Sequence, residues 1–67
     1  MDIRHRVGKA VQRLRAEKGL SQEELAHRAD LHRTYISGVE RGTRNPTVTV
    51  LEKIATALET TIGKLTD

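Results

Sequence analysis

The stretch SQEELAHRADLHRTYISGVE, running from Ser21 to Glu40, decides the fold. Ser21 is a good N-cap because its hydroxyl can accept a bond from an orphan helical N–H, and Glu24 stands where it can reach back to the Ser21 N–H. The two make a capping box, so a helix starts here. Leu25, Ala26 and Ala29 then give an apolar face at helical spacing, and Leu31, Tyr35, Ile36 and Val39 form a second set at the same period. Only about one turn's worth of chain, around Ala29, Asp30 and Leu31, separates the two helices, so they must cross at a large angle. Small residues are needed at such a crossing, and Ala26 and Ala29 supply them. The stretch reads as helix, tight turn, helix.

Working outward toward the N-terminus, Ile3, Val7, Ala10, Val11 and Leu14 recur at steps of three and four, which predicts a first helix from Ile3 to Lys18 with one apolar stripe. Gly19 ends it, since glycine takes the left-handed position after a helix without cost. Toward the C-terminus, Gly42 is a helix stop and Pro46 prevents a restart before it. Thr47 is an N-cap for a further helix with Val48, Leu51, Ile54, Ala55 and Leu58 on its buried face, although Thr49 with Glu52 offers a competing start. Ile62 to Leu65 suffice for one short closing turn or helix. The expected fold is all-α, a compact bundle of four to five short helices in one domain spanning residues 1–67.

A chain of 67 residues buries only about 60% of its unfolded surface, so its stability is marginal and oligomerisation would help it. It has no cysteine, which excludes disulfides and thiolate metal sites. His5, His27 and His32 are not at metal-binding helical spacing, and Ser21 and Ser37 lack a His and acid partnership, so no metal, no cofactor and no enzymatic activity are expected. No apolar run is long enough for a spanning helix or signal peptide, and the first helix lacks the aromatics of a membrane-surface helix, so a cytoplasmic protein without a membrane partner is expected. No repeats, linkers or second domain are expected either. The formal net charge of +3 suits a polyanion. Its arrangement is more telling than its sum, with Arg4, Arg6, Lys9, Arg13, Arg15 and Lys18 in the first helix and Arg41 and Arg44 after the second motif helix.

Three runs carry a family likeness: GLSQEELA from Gly19 to Ala26, RTYISGVERG from Arg33 to Gly42, and RNPT from Arg44 to Thr47. Together they resemble the lambda-repressor-like helix-turn-helix regulators of the Xre or Cro/repressor type, over almost the whole chain. Within that family the chain is similar to restriction-modification controller proteins and to free-standing domains of Xre-type repressors. The resemblance implies a sequence-specific regulator that places residues 33–40 in the major groove of double-stranded DNA. Two departures stand out: Asp30 replaces a habitual glycine in the turn, and His32 replaces the Ser or Thr that usually caps the second helix.

With Ile36 and Val39 facing inward, the outward face of that helix is Arg33, Thr34, Ser37 and Gly38. Arg33 is the first choice for a bidentate guanine contact, Thr34 and Ser37 are short hydrogen-bonding readers, and Gly38 serves close backbone approach. Gln22 resembles the family residue that bonds a phosphate at a helix N-terminus. His32, Arg41, Thr43, Arg44 and Asn45 are further backbone candidates, and Tyr35 is either one of these or a partly packed core residue. The resemblance also implies an ion pair between Arg15 and Glu40. One reading helix covers too few base pairs for specificity, so a homodimer on a two-fold operator is expected, with Val50, Leu58, Ile62 and Leu65 as candidates for its surface; the alternative is that they close the core of one chain, and for Leu58 and Leu65 the two readings weigh about equally. The rival reading is a protein-binding module, an antitoxin bound to a toxin or a domain that docks on RNA polymerase.

Overall fold

Side-chain oxygens start four of the five helices in the computed structural model, which describes residues 2–67. Asp2 accepts from the His5 N–H at the start of α1 (Ile3–Glu17), and that bond, with a second to the His5 ring, pulls the Asp2 carboxyl down to about 2. At α2 (Gln22–Ala29) both halves of the Ser21 and Glu24 capping box are made, at 3.0 and 2.8 Å. Thr47 caps α4 (Val48–Ala57) and Thr61 caps α5 (Ile62–Thr66), which settles the competition with Thr49 in favour of Thr47. Helix α3 (Arg33–Arg41) is the exception: His32 makes no side-chain cap bond, because an imidazole is a poor substitute for a hydroxyl there.

The four longer helices all end in the same way. Gly19, Asp30, Gly42 and Glu59 take positive φ of 69°, 57°, 77° and 57°. The next residue then turns its N–H back to a carbonyl five positions earlier: Leu20 to Arg15, Leu31 to Ala26, Thr43 to Gly38 and Thr60 to Ala55, at 2.8–3.1 Å. This is the Schellman exit, which satisfies orphan carbonyls and reverses the chain within a few residues. Asp30 and Glu59 adopt the conformation at a cost that glycine would not carry.

Helix α3 packs on α1 and α2, α2 also meets α4, and α5 closes against α1 and α4. The core between them is apolar, built on Val7, Val11, Leu25, Ile36, Val39, Ile54, Leu58 and Leu65, with Ala26 and Ala29 buried at the crossing. Two residues expected in it lie outside: Ile3 is 47% and Val48 71% exposed. Both occupy the first turn of a helix, where the periodicity is right but no neighbouring element covers the face. The expectation that Leu58 and Leu65 form a surface between two copies is also corrected, since they are 2% and 0% exposed and belong to the core of one chain. Leu58 follows Ile54 and Ala55 inward at the end of α4, and Leu65 is turned inward by the return of α5 onto α1.

Gly8 sits inside α1 at its closest approach to α3. A Cβ there would stand 2.5 Å from the Val39 carbonyl oxygen and 2.7 Å from that of Glu40, both backbone atoms that cannot step aside. Gly8→Ala should therefore destabilise the fold by about 1–3 kcal/mol despite its better helix propensity. Asp30→Gly should do the opposite and stabilise by about 1 kcal/mol, a rise in Tm of about 4–8 °C for a domain of this size. Thermal unfolding of the two variants beside the parent checks both signs.

Candidate nucleic-acid interface

The outer face of α3 depends on how the end of that helix is held. Arg15, near the end of α1, donates from Nε to Glu40 Oε2 at 2.7 Å and from Nη2 to Oε1 at 3.2 Å. This fork geometry fits a carboxylate well, and it raises the Arg15 pKa above its ordinary value. The Arg15 Nη1 donates in addition to the Leu20 carbonyl at 2.8 Å, and Gln22 Nε2 donates to Glu40 Oε1 at 2.9 Å. The Glu40 side chain is only 3% exposed and that of Arg15 17%. One carboxylate thus joins the end of α1, the turn after it, the start of α2 and the end of α3.

With Ile36 and Val39 in the core, α3 turns Arg33 and Thr34 fully outward. Ser37 is half-buried, and its hydroxyl accepts from Arg41 Nη1 at 2.8 Å, so Arg41 lies back along the helix instead of extending into the loop. The Ser37 O–H hydrogen is left free to donate. Gly38 is buried and presents nothing outward: Arg44 and Thr43 cover it, and its carbonyl accepts from the Thr43 and Arg44 N–H groups and from the Thr43 hydroxyl. Its place among base-reading residues is therefore corrected, because other side chains lie between it and any ligand. Tyr35 is half-buried against the core, with the Arg44 guanidinium 5.4 Å above its ring, a cation–π distance. Thr43, Arg44 and Asn45 are exposed in the loop after α3, and His32 is exposed before it.

The residues that sequence reading passed over are Gly8, which sets the approach of α3 to α1, and His5, whose ring lies against Gly42. A glycine in mid-helix costs about 1 kcal/mol relative to alanine, and that cost was the available signal for Gly8. No signal marked His5.

A short helix held across its partner by a tight turn, with a polar and basic outer face, defines a helix-turn-helix module. Residues 11–65 match the helix-turn-helix family, and the chain belongs to it. It is similar to the control protein C.BamHI of Bacillus amyloliquefaciens, 52% identical over 58 residues that cover 85% of this chain and 72% of that one. The control protein C.MunI of a Mycoplasma species is 46% identical over 65 residues, 96% of this chain and 88% of its own length. Among solved structures, the restriction-modification controller protein C.AhdI from Aeromonas hydrophila matches with a TM-score of 0.90 at 44% identity, over 92% of this chain and 94% of that one. The controller protein C.Esp1396I, solved as a tetramer in complex with its natural 35 base-pair operator, matches with a TM-score of 0.85 at 43% identity, over 91% of this chain and 80% of that one.

The Arg15 and Glu40 pair should respond asymmetrically to substitution. Arg15→Met strands a carboxylate with almost no access to water, whereas Glu40→Gln leaves a guanidinium that can still reach solvent. Breaking a buried pair by removing one partner costs about 3–5 kcal/mol, and Arg15→Met should fall in that range with Glu40→Gln below it. Urea unfolding of the two variants measures the difference, and equal losses would argue against the asymmetry.

Proposed function

We propose that this protein is a sequence-specific DNA-binding transcriptional regulator that places α3 in the major groove, acting as a homodimer on a two-fold symmetric operator. The observation that carries the reading is the outer face of α3, where Arg33 and Thr34 are exposed and Ser37 half-buried, with Arg41 and Arg44 laid alongside them. A major groove admits one helix of this width, and its first turns reach the base edges. The solved complex of C.Esp1396I with its operator supports the same use of this fold. In this reading Arg33 takes guanine O6 and N7, and Thr34 and Ser37 contact neighbouring bases.

His32, Tyr35, Arg41, Thr43, Arg44 and Asn45 serve the flanking phosphates. Gln22 joins them through its second amide hydrogen, since a carboxamide nitrogen carries two and Glu40 takes only one. The activity is binding rather than catalysis, as it is for the regulators that the chain resembles. No helix among the described residues is long and apolar enough to cross a membrane; we place the protein in the cytoplasm, with its DNA.

Two copies are needed for geometric reasons. The domain measures 27 × 21 × 21 Å, while half-sites one helical turn apart lie about 34–36 Å from centre to centre. With Leu58 and Leu65 in the core, the apolar surface left for a partner is Val48, Val50 and Leu51 on α4 with Ile62 at the start of α5, all half-buried except the exposed Val48.

Selection of bound duplexes from a random DNA pool tests the reading. A two-fold symmetric site should be enriched, and Arg33→Ala should bind it about 1–3 kcal/mol more weakly and relax one base position. The logarithm of affinity should fall with that of salt, by about 0.9 for each phosphate contacted. Failure to enrich any sequence would defeat the proposal. Val48→Glu lies at an exposed position where an acidic residue favours the helix start, so it should leave the fold intact and shift sedimentation from dimer toward monomer.

A further inference from the structure

We infer that Gly38 is a positioning residue for DNA recognition: its missing side chain is the seat that returns Arg44, a loop residue beyond the end of α3, to the reading half of that helix. A Cβ at residue 38 would lie 2.5 Å from Arg44 Cγ, 3.3 Å from its Nε and 3.4 Å from Thr43 Oγ1. The stem of Arg44 therefore occupies the volume that a side chain at this position of the helix would fill. From there the guanidinium reaches back to stand 5.4 Å over the ring of Tyr35, nearly one turn nearer the N-terminus. Tyr35 and Gly38 lie three residues apart on one side of the helix, and together they form a groove floor, with the aromatic face under the charge and bare backbone under the stem.

The loop backbone is hung from the same residue, since the Gly38 carbonyl accepts from the N–H groups of Thr43 and Arg44 at 2.9 and 3.3 Å and from the Thr43 hydroxyl at 3.1 Å. Backbone bonds fix where the loop starts back, and the absent Cβ lets the side chain lie down. The consequence is a transfer of function along the chain. A side chain at this position would fill the place itself; here a cation from the loop fills it, stacked on Tyr35 beside the face that holds Arg33, Thr34 and Ser37 and set to meet the flanking phosphate. A stacked guanidinium is held in place, whereas a free loop arginine would have to be ordered on binding.

The inference rests on the proposed DNA binding and separates from it by experiment. Gly38→Ala, Arg44→Ala and the double variant are compared with the parent in three ways: thermal unfolding, the ring-current shift of the Arg44 side-chain protons by NMR without DNA, and affinity for the duplex selected by the parent. Gly38→Ala should fold with a Tm no lower than the parent's, because the added methyl meets a movable side chain and alanine favours the helix. It should lose the ring-current shift and bind the selected duplex about tenfold more weakly, the scale of one lost contact. Arg44→Ala should show a similar loss, and the double variant should be no worse than either single one, because both remove the same contact. Retention of the ring-current shift in Gly38→Ala, unchanged affinity once the shift is gone, or losses that multiply in the double variant would each overturn the inference. If the parent selects no duplex, the proposed function fails instead, and the NMR shift alone still decides whether Gly38 seats Arg44.

Discussion

The carboxylate of Glu40 is the point on which the architecture hangs. A charge almost shut off from water is tolerated only when its hydrogen-bonding capacity is met, and here Arg15 and Gln22 meet it from two other helices. Gly8 supplies the complementary condition by letting the backbone at Val39 and Glu40 come against α1. Close approach sets the distance of α3 from the scaffold, and the forked ion pair sets its rotation. A polar lock of this kind adds little net stability compared with an apolar contact of the same size. It discriminates instead between orientations, which is what the proposed docking of one helix face in a groove would require.

The surface that results is assembled more from folded-back side chains than from the helix alone. Arg41 lies along α3 to reach Ser37, and Arg44 lies over Gly38 to reach Tyr35. Both cations belong to the C-terminal end of the helix or the loop after it, where positive charge suits the helix dipole, yet both deliver their charge upstream. The outer surface of α3 is thus built by residues 33–45 as a unit, and in the proposed reading the loop is as much a part of the DNA-contacting element as the helix.

Local chemistry was legible in the sequence and long-range placement was not. The capping box at Ser21 and the helix stops at Gly19 and Gly42 depend on residues within a few positions of one another, and each can be read from spacing; spacing leaves Thr47 and Thr49 in competition for the start of α4, and the strained turn at Asp30 and the weak start at His32 follow from the family likeness. Ile3 and Val48 were misplaced because a periodic pattern cannot say where the covering neighbour ends. Pattern alone lets Leu58 and Leu65 serve either the core or a second copy, because the sequence does not show that α5 folds back far enough to bury them. The partnership of Arg15 with Glu40 came from the family likeness and not from any spacing. Of the site, the outward set Arg33, Thr34 and Ser37 followed from helical geometry, whereas the role of Gly38 depended on Arg44 lying back over it, which no periodicity encodes. The left-handed Glu59 carried no mark at all.

The four Schellman exits bear on how the chain behaves in time. Each closes between residues five apart, so most reversals of direction form without waiting for distant segments to meet, and helical domains dominated by such local contacts fold in microseconds to milliseconds. A chain that recloses faster than a protease can cut it is degraded in proportion to its equilibrium unfolded fraction, not to its unfolding rate. For a domain of marginal stability, small differences at the αL residues and caps would then be felt as differences in lifetime against proteolysis. Turn chemistry would set how much of the protein is present.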